Sequence, residues 1–135
     1  MANRMKLKII SQTRKIYEGL VDYVTVPGEL GQMGILPGHA NIISLLDVGE
    51  VKITVDGKNT FIAINGGIIE VKKNNIIILA NEAALPEEII EKEIDNAIKM
   101  AEKKLASKLE PSELIQLERH IRYEKLKRKL KDKLG

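Results

Sequence analysis

The hydrophobic pattern of this sequence changes its period once, near Ala80, and this change limits what the chain can fold into. Before Ala80, short segments alternate apolar and polar residues, which is typical of half-buried β-strands. After Ala80, apolar residues recur every three to four positions, as they do along one face of an amphipathic helix. With 135 residues, the chain has room for one small domain and an appendage. The sequence therefore predicts an α+β protein, with a β domain over residues 1–84 and a helical unit over residues 85–135.

The first part of the chain predicts an antiparallel β-sandwich or barrel. The expected strands cover residues 5–10, 21–26, 51–55, 60–64, 68–71 and 76–79. Asp56-Gly57 separates two of them and is typical of a tight β-hairpin turn. Asn65-Gly66-Gly67 is expected to form another turn. Because only 3% of the residues are aromatic, the core must consist chiefly of Ile, Leu and Val.

The second part predicts an αα-hairpin. Pro86 suits the first turn of a helix, and Glu87 and Glu88 suit the positive end of the helix dipole. The apolar stripe of this first helix consists of Ile90, Ile94, Ala97, Ile98, Ala101 and Leu105. Pro111 begins a second helix that is expected to run to about Leu134.

The second predicted helix has two apolar faces. One carries Leu114, Leu117 and Ile121, and the other, on roughly the opposite side, carries Tyr123, Leu126, Leu130 and Leu134. Either the last turns are frayed and solvated, or they pack against a different or intermittent partner. Residues 118–133 contain eight Lys or Arg and three Asp or Glu, whereas the net charge of the whole chain is +3. A basic helix of this kind is suited to an acidic surface.

Residues 27–42 read Pro-Gly-Glu-Leu-Gly-Gln-Met-Gly-Ile-Leu-Pro-Gly-His-Ala-Asn-Ile. Glycine permits backbone angles that other residues rarely adopt, and proline fixes its own. The apolar residues between the glycines indicate a partly packed loop instead of a flexible linker. We therefore predict a shaped loop that a partner contacts.

The sequence contains no constellation that is typical of catalysis. It has no cysteine, which excludes disulfides, thiol nucleophiles and thiolate metal sites. His39 and His120 fall in different units without metal-ligand spacing, and no phosphate-binding glycine motif is present. We expect no enzymatic activity, no metal and no cofactor. The N terminus lacks a signal sequence, and no segment approaches about 18 consecutive apolar residues. We expect a soluble chain that reaches a membrane only through a partner.

Together these residues resemble the epsilon subunit family of the F-type ATP synthase of bacteria and chloroplasts, whose mitochondrial counterpart is called delta. The resemblance covers nearly the whole chain. It rests on Gly-Glu-Leu-Gly at 28–31, Gly-Ile-Leu-Pro-Gly-His-Ala at 34–40, Gly-Gly-Ile-Ile-Glu-Val at 66–71 and Ile-Ile-Ile-Leu-Ala at 76–80. It implies a two-sheet sandwich that clamps the gamma subunit and stands on the ring of c subunits. Such a subunit couples ion flow to ATP synthesis without chemistry of its own, at the cytoplasmic face of the bacterial plasma membrane.

The resemblance also implies two sets of contact residues. The loop that faces the c ring comprises Glu29, Leu30, Gln32, Met33, Ile35, Pro37, Gly38 and His39. The family's helical hairpin folds on the sandwich or extends along gamma and restrains ATP hydrolysis. The residues expected to contact acidic segments of the alpha/beta catalytic hexamer are Arg119, Arg122, Lys125, Arg128 and Lys129.

The sequence departs from the family pattern at three places. Gln32 occupies a position that is often acidic in relatives, and Asn41 replaces a usual proline, which is expected to loosen the local turn. Some relatives bind ATP through an Ile/Leu-Asp-x-x-Arg-Ala pattern on the first helix. Here Ile90 stands at the aspartate position and Glu93 at the arginine position. Because Glu93 reverses the charge that would face a phosphate, we predict no tight ATP site.

Two other classes of protein compete with this interpretation. A nucleic-acid-binding β domain with a basic C-terminal helix would also explain the charge of the second helix. Against it, the sequence has one Phe and three Tyr for base stacking, and its first half is not basic. A small hydrolase is disfavoured because neither a nucleophile nor a metal-ligand set is evident.

Overall fold

The computed structural model describes residues 3–134. In this range, eight β-strands are followed by a short 3₁₀ turn and two α-helices. The strands are β1 (Met5–Ile10), β2 (Lys15–Val21), β3 (Tyr23–Gly28), β4 (Gly31–Ile35), β5 (Ile42–Val55), β6 (Lys58–Lys72), β7 (Asn75–Ala80) and β8 (Ala83–Ala84). The 3₁₀ turn spans Pro86–Glu88, and the helices are α1 (Glu91–Leu105) and α2 (Pro111–Leu134).

The strands form one hydrogen-bonded path that folds into the two layers of a sandwich. Its order is β2-β1-β7-β6-β5-β3-β4, with β8 paired to β6. β5 and β6 contribute to both layers: β7 pairs with the second half of β6, whereas β8 pairs with its first half. The α+β sandwich predicted from the sequence is confirmed. The predicted antiparallel pairing holds for the described strands except β1 and β7, which run parallel and are joined by the long connection that parallel neighbours require.

β6 changes layer at Gly66 and Gly67, where the sequence predicted a turn. Their φ angles are 71° and 152°, a region of backbone space that side chains of L-residues rarely adopt. A Cβ atom on Gly67 would lie 2.2 Å from the carbonyl oxygen of Leu79 on the neighbouring strand. The predicted turn is wrong because these glycines redirect the strand without ending it, so that β6 keeps its pairing on both sides of the bend.

Three strands, β2, β4 and the two-residue β8, and the first half of β5 were not predicted. β2 lies at an edge of the sheet, and its sequence, Lys-Ile-Tyr-Glu-Gly-Leu-Val, does not alternate apolar and polar residues. The first half of β5 and all of β4 lie in or next to the glycine-rich stretch. Residues 27–42 are therefore largely a β-hairpin instead of a loop: Glu29 and Leu30 form its turn, and Gly28 pairs with Gly31. The strand pairing with β3 overcomes the low strand propensity of the glycines.

The core of the sandwich is aliphatic, as the composition predicted. Its largest fully buried side chains come from both layers and include Met5, Leu7, Ile9, Ile35, Ile53, Ile62, Ile64, Ile69, Ile76 and Ile78. The type I′-like turns at Asp56-Gly57 and Lys73-Asn74, whose residues have positive φ, join the strands that carry many of these side chains.

The first helix begins later than predicted. Pro86 starts only a 3₁₀ turn, Ile89 and Ile90 are extended, and α1 begins at Glu91. Ile89 is buried against the sandwich, and its carbonyl oxygen accepts a hydrogen bond from Lys131 Nζ at 2.8 Å. Burial of this side chain therefore interrupts the helix, and Ile90 is left exposed at the end of the predicted stripe.

The two apolar faces of α2 have two neighbours in the same chain. Leu117 lines a groove beside Ala97 and Ala101 of α1. Tyr123 and Leu130 are buried in a cluster with side chains of the sandwich. Leu130 is only 1% exposed, so the interpretation of the last turns as frayed and solvated is wrong. The last turns of α2 therefore pack against the sandwich, which is the different partner that the sequence left open. The side chain of Leu134 lies outside the described residues.

Candidate partner-binding surfaces

An apolar row crosses the outer face of one layer of the sandwich. Leu45 of β5, Ile68 of β6 and Leu79 of β7 are directly opposite one another in the strand register, and Ile10 of β1 follows. Residues that pair directly across strands project from the same side of a sheet. Leu45, Ile68 and Leu79 are all exposed, although each is large and apolar.

A second row, one step along the strands, widens this surface. It runs from Ile43 through Glu70 and Ile77 to Lys8. Ile43 is 72% exposed. We call the two rows together the apolar face. A contiguous exposed apolar surface is typical of a site that contacts a protein, a membrane or a ligand, so the apolar face is a candidate binding surface.

The turn of the β3–β4 hairpin lies next to the apolar face. The Glu29 amide donates a hydrogen bond to the Leu45 carbonyl at 3.1 Å, and Leu30 is fully exposed at the tip. A groove of about 430 Å³ separates this turn from Ile43 and Leu45. The turn therefore borders the apolar face across this groove.

The residues expected to contact a c ring divide by exposure. Glu29, Leu30, Gln32 and Gly38 are exposed. Met33, Pro37 and His39 are partly buried, and Met33 packs against the core. Ile35 has no exposed surface and anchors the hairpin from inside the sandwich. The structure thus brings Glu29, Leu30 and Gln32 together around one groove, holds Gly38 against Asn74, and places Ile35 in the interior.

Two asparagines hold the segment that follows β4. Asn74 Oδ1 accepts a hydrogen bond from the Gly38 amide at 2.8 Å, and Asn41 Oδ1 accepts one from the Lys73 amide at 3.2 Å. His39 Nδ1 lies 2.7 Å from the Ala40 carbonyl oxygen. The Asn41 side chain ties this turn to the β6–β7 connection. The looser turn expected from the replacement of a proline stays a prediction.

The basic residues of α2 are largely paired with acids of the same chain. Arg122 lies 3.1 Å from Asp47 of β5, and Arg119 lies 3.9 Å from the same carboxylate. Arg128 pairs with Asp95 of α1. A further pair joins Lys133 to Glu50 at 3.0 Å. Three of the five residues expected to contact an acidic partner therefore have internal partners in this conformation.

The remaining two residues line a groove between α2 and β5. Lys125 and Lys129 are exposed and form no ion pair within residues 3–134. They share a groove of about 410 Å³ with Arg122, and its apolar floor includes Val48 and Leu126. This groove keeps positive charge at the surface where the helix meets the sandwich.

Asp47 is the central acid of this interface. Its carboxylate also accepts a hydrogen bond from the Val48 amide at 2.7 Å. Partial burial by itself would raise the pKa of Asp47, but the Val48 amide and the charges of Arg122 and Arg119 outweigh it and hold this pKa below its ordinary value. The folded chain therefore stabilises the ionised carboxylate, and the two arginines of α2 contribute part of this stabilisation.

Sequence reasoning missed the acids and the individual residues of the apolar face. Asp47 and Arg122 are 75 positions apart, and no local pattern joins them. The apolar face did have a signal: residues 76–79 are apolar without alternation, which indicates a strand with apolar side chains on both faces. One of those faces is the core and the other is exposed.

Other classes of site have no support in the described part of the chain. Within residues 3–134, no three His, Asp or Glu side chains come together as metal ligands. No helix in that range is long and apolar enough to span a membrane.

A sandwich with an exposed apolar face and a helical hairpin docked at its flank defines a class of protein-binding subunits. The β-sandwich domain of the ATP synthase delta/epsilon chain matches residues 4–86. The ATP synthase epsilon chain of Carboxydothermus hydrogenoformans is 42% identical over 106 residues, covering 78% of this chain and 79% of the relative. That of Leptospira interrogans is 40% identical over 113 residues, covering 83% and 84%. The chain belongs to the ATP synthase epsilon family.

A solved structure has the same fold. A chain in the mitochondrial ATP synthase of Euglena gracilis, in an assembly described as OSCP/F1/c-ring, superimposes with a TM-score of 0.75. The match covers 98% of this chain and 82% of the other at 24% identity. Neither the family match nor these relatives support the nucleic-acid-binding alternative.

Proposed function

We propose that this chain is a rotor subunit of an F-type ATP synthase, joining the gamma subunit to the c ring and restraining ATP hydrolysis through its helical hairpin. The observation that carries the proposal is the exposed apolar face beside the β3–β4 turn, in a chain that belongs to the epsilon family. The chain acts by binding and has no catalytic activity of its own.

The apolar face is the proposed gamma site. A rotor subunit must stay attached to its shaft under torque, which requires burial of a substantial apolar area. Leu45, Ile68 and Leu79 lie on three adjacent strands, so a partner covers them on a single rigid surface.

The exposed part of the β3–β4 hairpin is the proposed c-ring site. Leu30 at its tip is free to insert between polar loops, and Glu29 and Gln32 flank it. The hydrogen bonds of Asn41 and Asn74 join the following segment to the β6–β7 connection, between two strands of the apolar face. This tie supports transmission of force from one contact to the other.

The hairpin is the proposed brake. In the docked conformation, Arg119, Arg122 and Arg128 are paired with Asp47 and Asp95. An extended hairpin would release the two arginines that Asp47 holds, and with Lys125 and Lys129 they would pair with acidic segments of the catalytic hexamer. Arg119 and Arg122 thus have acidic partners in both conformations, whereas Lys125 and Lys129 gain theirs only in the extended one, which suits a two-state element.

The remaining parts of the proposal follow from these contacts. The chain associates with the cytoplasmic face of the bacterial plasma membrane through the complex. It needs no cofactor, and tight ATP binding to the hairpin is not expected, because exposed Glu93 stands where a phosphate-binding arginine would be needed.

The brake is tested by removing residues 86–135 and reconstituting the complex. The buried core of the sandwich lies within the retained residues, so the truncated chain is expected to fold and to be retained by gamma. ATP synthesis should stay coupled, and ATP hydrolysis should rise several-fold over the complex with the intact chain. A truncated complex that assembles but hydrolyses ATP at the unmodified rate would refute the brake. Failure of the intact chain to bind gamma would refute the whole proposal.

A further inference from the structure

One carboxylate lies inside the apolar face. Glu70 stands between Ile43 and Ile77 in the strand register, and Ile68 precedes it by two positions on the same side of β6. The side chain is exposed and forms no ion pair within residues 3–134. A carboxylate at the rim of this surface does have a partner, since Glu18 on β2 pairs with Lys15 at 2.7 Å.

Covering this face would strip water from Glu70. An ionised carboxylate that loses its hydration without a partner is strongly disfavoured, whereas one that gains a charged, hydrogen-bonded partner is stabilised. The nearest cations in the register, Lys8 and Lys72, lie at the border of the face, and neither forms an ion pair with Glu70. The partner must therefore supply the compensating group.

We propose that Glu70 is a specificity-determining residue of the apolar face, and that it receives a basic side chain, preferably arginine, from an otherwise apolar surface of the gamma subunit. The inference rests on the proposed docking of gamma to this face. An arginine satisfies both carboxylate oxygens at once and is more weakly hydrated than lysine, so it suits a site that closes to water. The apolar residues supply most of the buried area, and the single charge sets the register of the two surfaces.

The test measures the affinity of purified gamma for the full chain at several salt concentrations. Glu70→Gln keeps the size of the side chain and removes its charge. We expect at least tenfold weaker binding and a shallower salt dependence. Glu70→Arg should weaken binding further, and a charge-reversed gamma variant, Arg or Lys to Glu at the facing position, should restore it. Glu102→Gln, an exposed site on α1 outside the face, is the matched control and should leave binding unchanged.

Ile68→Ser separates this inference from the docking proposal. Ile68 is exposed, so its replacement should weaken gamma binding while the thermal unfolding midpoint of the chain stays close to that of the original. If Ile68→Ser weakens binding but Glu70→Gln leaves both affinity and salt dependence unchanged, the role of Glu70 is refuted and docking stands. If neither change affects gamma binding, docking on this face is refuted as well.

Discussion

The sandwich and the interface between sandwich and hairpin are stabilised in different ways. Inside the sandwich, long-range strand pairing encloses a continuous aliphatic core from both layers. At the interface, the buried cluster among the described side chains is small and consists of Ala63, Ile89, Ile94, Tyr123 and Leu130. Around it lie ion pairs whose side chains are partly exposed, such as Arg122 with Asp47 and Lys133 with Glu50.

This difference means that the interface and the sandwich open at different free-energy costs. Loss of the interface exposes a small apolar cluster and frees charges that water solvates well. Loss of sandwich packing would break ladders that join strands from distant parts of the sequence. Regions with few buried contacts open at lower free-energy cost than the core. We therefore propose that the hairpin undocks while the sandwich keeps its fold and its proposed partner surfaces.

The largest effect is expected in the sandwich, for Gly67→Ala. The added Cβ would lie 2.2 Å from the Leu79 carbonyl oxygen, at a φ of 152° that alanine rarely adopts. We expect a loss of roughly 3 kcal/mol or more in the free energy of unfolding, or no folded protein. Urea denaturation measures this loss. Gly19→Ala is the control, because its nearest neighbour would be the Tyr17 side chain at 3.4 Å. Equal stability of the two variants would show that the bend of β6 does not depend on Gly67.

A smaller, local effect is expected at the interface, for Leu130→Ala. Leu130 is 1% exposed, and its truncation leaves a cavity between α2 and the sandwich. We expect about 2–5 kcal/mol of lost docking free energy. Hydrogen exchange should then accelerate in α2 while β6 stays protected. Leu114→Ala on the exposed start of α2 is the control. Equal loss of protection in β6 would mean that hairpin and sandwich unfold as one unit.

Sequence reasoning succeeded where local pattern decides the structure. The strands of β1 and β7, the Asp56-Gly57 turn and the start of α2 at Pro111 follow from alternation, turn chemistry and helix periodicity. It failed where tertiary contacts override local preference. β4 contains glycines that reduce strand propensity, and Gly66-Gly67 resembles a turn although the strand continues.

The sequence predicted which surfaces are candidates for partner binding, but not which side chains form ion pairs within the chain. The basic character of α2 was visible in its composition, but the acids that neutralise it lie on β5 and α1. Ile35 belongs to a motif that marks the proposed c-ring loop, yet the pairing of β4 with β3 turns it into the core. Such outcomes depend on which strands become neighbours, and a single sequence does not encode that choice locally.

The smallest effect is expected for Asp47→Asn, which keeps the shape of the side chain and removes the charge that Arg119 and Arg122 share. Because these groups are partly exposed, we expect a loss of about 1 kcal/mol of docking free energy or less. The chain has no cysteine, so Gln116→Cys and Lys58→Cys allow fluorescent labelling of hairpin and sandwich, and energy transfer then reports the urea concentration that releases the hairpin.

The pH dependence of hairpin release tests whether the Asp47 carboxylate holds the hairpin on the sandwich. Burial opposes ionisation of Asp47, and the Val48 amide lowers its pKa whether or not the hairpin is docked, whereas the charges of Arg122 and Arg119 lower this pKa only in the docked conformation. The contribution of these ion pairs is complete above the ordinary aspartate pKa of about 3.9 and disappears as the pH falls through the lowered value. Asp47→Asn should remove this acid-sensitive part of docking. Asp95→Asn is the matched control, because Asp95 pairs with Arg128 within the hairpin and leaves the contact with the sandwich intact. If both variants retain the same acid sensitivity as the original chain, Asp47 does not hold the hairpin on the sandwich.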